Sequence, residues 1–156
     1  MNNYLPTDYQ SFIHTSRYAR WLDEEGRRET WGETVGRYVS NIVAPVIADT
    51  AVQNEISEAI TGLEVMPSMR SMMTAGVAAA RDNTCMYNCS YLVIDDMKAF
   101  DEAMFILLCG TGVGFSCERQ YIKNLPEVPE TLYDSDTTIV VKDSKEGWAK
   151  AYRLLI

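Results

Sequence analysis

Tyr91, Leu92, Val93 and Ile94 form a short apolar run rich in branched and aromatic residues, stopped by Asn88 on one side and by Asp95 and Asp96 on the other. Both alternating faces of such a run are apolar, which suits a strand buried on both sides, as in a parallel sheet. Parallel neighbours need a crossover, and the next residues offer one. Asp95 or Asp96 can cap a helix whose Phe100, Ala103, Met104, Leu107 and Leu108 share a face, and Gly110 can end it. Residues 115–118 and 137–142 are the candidate strands beyond. The strand–helix–strand order predicts an α/β unit. Between the candidate strands, residues 125–136 hold Pro126, Pro129 and four acidic side chains, the composition of a surface loop.

The first sixty residues read as helical. Trp31, Val35, Tyr38, Val39, Ile42, Val43 and Val46 recur at helical spacing, Thr30 and Glu33 fit a capping box at the start, and Pro45 should kink or end the helix. A second helix is expected over residues 50–61, with Val52, Ile56 and Ile60 on one stripe and Gly62 as its stop. At the far end, Asp143 and Glu146 resemble a capping pair, and Trp148, Ala151, Tyr152 and Leu155 follow as an apolar stripe. Burying a side chain such as Leu155 stabilises by about 1.5–3 kcal/mol. The expectation is that something covers this stripe, a second polypeptide being the favoured candidate.

Charge narrows the partners. The 156 residues carry a formal net charge of −8, with no dense Lys/Arg patch to displace counterions from a nucleic acid. Arg17, Arg20, Arg27 and Arg28 are interleaved with Asp23, Glu24, Glu25 and Glu29, which reads as a solvated, salt-bridged helix face. Met1, Asn2, Asn3 and Tyr4 show no basic region or following apolar run, so no signal peptide is expected. No apolar stretch is long enough to cross a bilayer. The expected location is cytoplasmic, in a bacterial or phage-infected cell, with no nucleic acid or membrane partner. Four cysteines in a reducing compartment would be free, catalytic or metal-bound.

Three segments could carry chemistry. Cys85, Cys89, Cys109 and Cys117 lack the paired spacing of a zinc site, and the single histidine, His14, is remote, so no metal is expected. Cys109 on an apolar helix reads as a buried free thiol. Cys89, in the sequence Asn88-Cys89-Ser90, lies at the mouth of the predicted strand and could be structural or functional. Gly110, Thr111, Gly112, Val113 and Gly114 could let a ligand approach the backbone closely, or could form a tight turn between helix and strand. They are neither a dinucleotide fingerprint nor a P-loop. Residues 67–76, with Ser68, Arg70, Ser71 and Thr74 in a turn-rich stretch, could hold a phosphate, although their methionines also read as packing filler.

Taken in order, these segments resemble the large, catalytic subunits of ribonucleotide reductases. That family has a Pro/Ser segment ending in Ala-Gly, then Asn/Ser-Cys opening a strand, then a helix and a Gly-x-Gly-x-Gly segment. Here these are residues 67–76, the strand opening at Asn88-Cys89-Ser90, and residues 109–116 followed by Glu118-Arg119-Gln120-Tyr121. The glycine segment, with Ser16-Arg17-Tyr18 and Arg27-Arg28-Glu29-Thr30-Trp31, is most similar to the adenosylcobalamin-dependent (class II) enzymes and their phage relatives.

The resemblance implies an α/β fold in which residues 1–63 form a helical region and residues 64–156 begin a ten-stranded barrel that is incomplete in this chain. It implies that Cys89 is one of two cysteines that deliver electrons to the ribose and become a disulfide in each turnover. Ser68, Arg70, Ser71 and Asn88 would line the substrate, with Gly110, Thr111 and Gly112 along the nucleotide. The radical-forming cysteine, its Asn and Glu partners and the second redox cysteine have no counterpart here. The expectation is a split enzyme: a complementary C-terminal reductase chain would carry them and most of the adenosylcobalamin site. The other expected partners are a ribonucleoside di- or triphosphate and a dithiol reductant such as thioredoxin. An inactive nucleotide-binding or regulatory remnant, and a fragment of a class I large subunit, are the alternatives.

Overall fold

The computed structural model describes residues 5–156, so the opening Met1 to Tyr4, read above for a targeting segment, lie outside the described residues. The chain divides into two compact units, one ending at Met86 and the other running from Tyr87 to Ile156.

The first unit is mainly helical. Helix α1 (Asp8–Ile13) starts in a capping box between Thr7 and Gln10, and a π-helical turn (His14–Tyr18) follows it. A two-residue antiparallel hairpin comes next, β1 (Trp21–Leu22) with β2 (Arg27–Arg28). The hairpin departs from the helical reading of the first sixty residues. The chain reverses at Gly26, which takes φ +63 and donates its N–H to the Leu22 carbonyl at 2.9 Å. The interleaved charges therefore do not form a helix face. Arg27 pairs with Glu25 and, at 2.8 Å, with Glu33, whereas Glu29 is buried at 8% exposure.

Helix α2 (Trp31–Tyr38) begins as the sequence predicts, with both halves of the Thr30–Glu33 capping box formed. It runs on as a π-helical segment (Val39–Val43) and stops before Pro45. Helix α3 (Thr50–Thr61) is capped by the Asp49 side chain and closed at Gly62. The short helices α4 (Met69–Thr74) and α5 (Val77–Arg81) follow. Residues 67–76 thus contain a helix where turns were expected. The core of the unit is Trp31, Val35, Ile60 and Met72, flanked by Tyr18, Tyr38, Val39, Ile56 and Leu63. The Trp31 Nε1–H donates to the Thr61 carbonyl at 3.1 Å, tying α2 to α3.

His14 packs edge-on against Trp31, with ring centroids 5.5 Å apart. Its Nε2 lies 2.9 Å from Thr34 Oγ1, and the Thr34 hydroxyl donates to Glu29 Oε2 at 3.1 Å. With that hydroxyl proton spent on Glu29, the Thr34 oxygen accepts from His14, which fixes the neutral Nε2–H tautomer. Burial pushes the His14 pKa below the usual 6.5; the Glu29 charge opposes this and the Arg37 charge adds to it. Between the lowered value and 6.5 the unfolded chain binds a proton that the folded chain does not. Stability conferred by neutral His14 is therefore complete above 6.5 and is lost as pH falls through that window. Urea midpoints measured from about pH 7.5 to 5.5 are expected to fall, and His14→Gln should flatten the slope over that range. An unchanged slope in His14→Gln would assign the pH dependence to other groups.

The second unit is a strand–helix–strand crossover, as the sequence predicts. Strand β3 (Cys89–Val93), helix α6 (Lys98–Leu108) and β4 (Gly112–Ser116) make a two-stranded parallel sheet. Strand β4 occupies the glycine segment itself and ends at Ser116, so it meets the predicted span of 115–118 only at Phe115 and Ser116. Strand β3 is not buried on both faces: Tyr91 is 66% exposed. In α6 the buried residues are Ala99 and Asp101, and the predicted stripe leaves Leu107 and Leu108 exposed. Asp101 pairs with Arg153.

A short helix α7 (Arg119–Ile122) precedes the exposed loop of residues 125–136. Residues 137–142 form no strand, because no partner strand lies beside them among the described residues. Helix α8 (Lys145–Leu155) packs against α6 and is capped by the Ser144 side chain, which accepts from the Gly147 N–H, instead of by an Asp143–Glu146 pair. A Cβ on Gly147 would come within 2.2 Å of the Lys142 carbonyl oxygen, so glycine lets the incoming chain lie against α8. The stripe of Trp148, Ala151, Tyr152 and Leu155 lines a groove of about 320 Å³ with Met104, Ile139 and Val141. No helix among the described residues is long and apolar enough to cross a membrane.

Candidate active site

The residues singled out in the sequence fall in both units. Asn88, Cys89, Gly110, Thr111 and Gly112 belong to the second unit, at the start of its parallel sheet. Cys89 opens β3 and lies opposite Gly112, the first residue of β4. The Gly112 N–H donates to the Asn88 carbonyl at 2.9 Å, and the Ser90 hydroxyl donates to the Gly112 carbonyl at 3.1 Å. Thr111 is buried at 1% exposure, and its hydroxyl donates to the Tyr87 carbonyl at 2.9 Å. Thr111 thus tethers the start of β4 to the residues before β3, and its hydroxyl is not turned toward solvent. Gly110, exposed, closes the helix-to-strand turn at φ +85, a conformation that disfavours other residues.

Because side chains alternate along a strand, Cys89, Tyr91, Gly112 and Gly114 share one face of the sheet. All four are exposed. The result is a shallow floor of glycine backbone edged by a thiol and a phenol ring. A Cβ at Gly112 would meet only the Asn88 carbonyl oxygen at 3.5 Å, an ordinary contact, so packing within the chain does not itself demand glycine there. An accessible thiol above a floor without side chains can reach a flat or extended ligand and exchange with a second thiol. The remaining cysteines differ. Cys85 is half-buried with its thiol donating to the Asp82 carbonyl, Cys109 is buried 3.1 Å from Lys145 Nζ, and Cys117 is exposed just beyond β4. Among the described residues, no group of three His, Cys, Asp or Glu side chains is placed to hold a metal ion.

Ser68, Arg70 and Ser71 belong to the first unit. Ser68 is the N-cap of α4; its Oγ accepts from the Ser71 N–H at 3.2 Å and lies 3.3 Å from Ser71 Oγ. Ser68 is exposed, and Arg70 and Ser71 are half-buried. The sequence reading missed what holds this helix. Arg37 Nε and Nη2 donate to Glu29 Oε1 and Oε2 at 2.7 and 2.9 Å, Nη1 donates to the Met72 and Ala75 carbonyls at 2.8 and 2.9 Å, and Nη2 also donates to Tyr18 at 3.1 Å. Arg20 Nη2 donates to the Met73 carbonyl at 3.0 Å. Burial pushes the Glu29 carboxyl up, but the Arg37 guanidinium, the Arg20 N–H and Thr34 outweigh it and leave it below the usual range.

The fold matches part of a solved structure. The crystal structure of a B-12 dependent (class II) ribonucleotide reductase superposes with a TM-score of 0.71 over 94% of this chain and 29% of that one, at 25% identity. The chain is homologous to the adenosylcobalamin-dependent, class II ribonucleotide reductases. The adenosylcobalamin-dependent ribonucleoside-triphosphate reductase of Levilactobacillus brevis is 29% identical, aligned over 88% of this chain and 22% of its own length. The corresponding enzyme of Lactobacillus leichmannii is 28% identical over 84% of this chain and 22% of its length. A putative enzyme of the same description from a Mycobacterium phage is 26% identical over 89% of this chain and 24% of its length. The chain therefore spans about a fifth to a quarter of the length of these relatives. No protein-family model matches it.

Proposed function

We propose that this chain forms the opening part of an adenosylcobalamin-dependent ribonucleotide reductase, supplying one redox-active cysteine and part of the nucleotide pocket. The observation that carries the reading is the register of the parallel sheet, which sets an exposed Cys89 opposite Gly112 on a floor without side chains. The rest of the ten-stranded barrel, continuous with this sequence or on a separate complementary chain, supplies the radical cysteine and the second redox cysteine. The adenosylcobalamin dependence of the relatives favours this reading over a class I large subunit.

The net chemistry asked of Cys89 is balanced. The ribose 2′ C–O bond breaks, the oxygen leaves as water, and a hydrogen takes its place. Two thiols give up two electrons and two protons and join as a disulfide, which a thioredoxin-like dithiol reduces by exchange. Asn88, Gly110, Thr111 and Gly112 shape the wall along the nucleotide, with the Thr111 tether fixing the backbone on which Cys89 sits. Ser68, Arg70 and Ser71 bind the substrate phosphate or ribose, with the Arg70 guanidinium suited to phosphate. Adenosylcobalamin, when bound, supplies the radical. The cofactor is assigned to the rest of the reductase.

The test combines this chain with the remainder of the reductase, a ribonucleoside triphosphate, adenosylcobalamin and reduced thioredoxin. Deoxynucleotide is the expected product. Gly112→Val should fold normally, because its Cβ meets only an ordinary contact and branched residues suit strands. It should lower kcat/KM by about 100-fold, since displacing a ligand by an ångström has effects of that size. Full activity in Gly112→Val would remove the nucleotide from this floor.

A further inference from the structure

We infer that Arg37, oriented by Glu29, is a positioning residue for substrate binding: its guanidinium fixes helix α4 and through it the stretch that carries Ser68, Arg70 and Ser71. This rests on the reading that those three residues touch the nucleotide.

Helix α4 has six residues, too few to be stable by its own hydrogen bonds. Its middle is anchored by Met72, fully buried in the core. Its end is anchored by cations. The last carbonyls of a helix have no partners within it, and those of Met72 and Ala75 both accept from Arg37 Nη1, while that of Met73 accepts from Arg20. Positive charge at that end also suits the helix dipole. All five N–H bonds of Arg37 are used, two on Glu29 and three on carbonyls of two separate segments. Glu29 is held in turn by the Arg20 N–H at 3.0 Å and by Thr34. The orientation of the guanidinium is thus set from one side and read out on the other.

A buried ion pair is a weak device for stability, because desolvation offsets most of its attraction, and apolar replacements of similar volume do as well or better. What the pair supplies is geometry. A planar fork can bridge a carboxylate and three carbonyls at fixed angles, and a lysine ammonium cannot. Arg37→Lys therefore keeps the charge and loses the bridge, which separates a positioning role from a merely electrostatic one.

The test has two readouts on Arg37→Lys and Glu29→Gln, with Arg37→Met as the apolar replacement. The first is amide hydrogen exchange across residues 72–76 in the full chain, with α3 as internal reference. The second is KM and kcat for a ribonucleoside triphosphate in the assembled reductase. The inference predicts exchange at residues 72–76 faster by about tenfold or more in Arg37→Lys, α3 unchanged, KM raised about tenfold and kcat within about twofold. Glu29→Gln should give a smaller change of the same kind. Unchanged exchange at residues 72–76 overturns the role of Arg37 and leaves the substrate reading standing. Faster exchange with unchanged KM overturns the positioning role because the segment is then not at the nucleotide. Arg70→Ala decides the substrate reading independently, since it should raise KM without altering exchange at residues 72–76. Should Arg37→Met fail to fold, the two conservative variants carry the test.

Discussion

A reductase assembled with Cys89→Ser is expected to lose at least about 10³-fold in turnover with thioredoxin as reductant, while folding and binding nucleotide as before. Serine differs from cysteine by one atom and cannot form a disulfide, so the two electrons that replace the ribose hydroxyl have no route out of the pair. Cys89 is exposed at the first position of its strand and supports no packing, so stability should change by no more than about 0.5 kcal/mol. Cys117→Ser is the matched control. It is also an exposed thiol of the same unit, but it lies beyond β4 and off the glycine floor, and its activity should stay near that of the parent. Equal losses in both variants would indicate general sensitivity to thiol removal and not a role for Cys89.

The second large effect concerns stability. Trp31→Ala should destabilise the unit ending at Met86 by about 3–5 kcal/mol, much of what a domain of this size has in total. Trp31 is 4% exposed in a core of four buried side chains, so the cavity it leaves touches Val35, Ile60 and Met72 at once. Its removal also strips the Thr61 carbonyl of a donor and the His14 ring of its edge contact. Because Met72 lies on α4, the loss should reach the segment bearing Ser68 and Arg70. Urea unfolding should show an early transition confined to that unit, with the signal of β3, α6 and β4 persisting to higher denaturant. A fall of under about 1 kcal/mol would mean that the core collapses around the gap or is built differently.

Much of the fold is legible in the sequence wherever local signals are redundant. Helix α2 announces itself by Thr30, Glu33 and an apolar stripe, and α3 by its stripe and Gly62. The α/β crossover follows from a β-branched run, a helical pattern and a glycine in sequence. The hairpin at Gly26 escapes because its strands are two residues long and its arginines and glutamates read equally well as a helix face. The glycine start of strand β4 escapes because alternating glycines have almost no strand propensity; their extended conformation comes from pairing with β3, a tertiary fact. Residues 137–142 show the converse, a strand-like pattern with no neighbour to pair with among the described residues. The cap of α8 moves one residue from its predicted place, to Ser144.

The candidate site divides along the same line. Cys89 and the glycines are visible as residue types, but that Cys89 lies directly opposite Gly112, 23 residues further along the chain, is set by the register of two strands. The Glu29–Arg37 clamp is not legible at all. Its two members are eight residues apart, and the Met72 and Ala75 carbonyls it grips lie 35 and 38 residues beyond Arg37, so no local pattern joins them.

In the proposed reaction Cys89 is one half of a cysteine pair that becomes oxidised at the nucleotide. That role is tested most directly by trapping. The assembled reductase, fully reduced and freed of external dithiol, is given one equivalent of ribonucleotide, quenched with an alkylating reagent and digested for mass spectrometry. Cys89 is expected to escape alkylation and to be recovered in a disulfide with a cysteine from the rest of the barrel, one disulfide per deoxynucleotide formed. Cys85, Cys109 and Cys117 should be recovered as thiols. Deoxynucleotide formed with Cys89 still alkylated as a free thiol would rule out that role for Cys89.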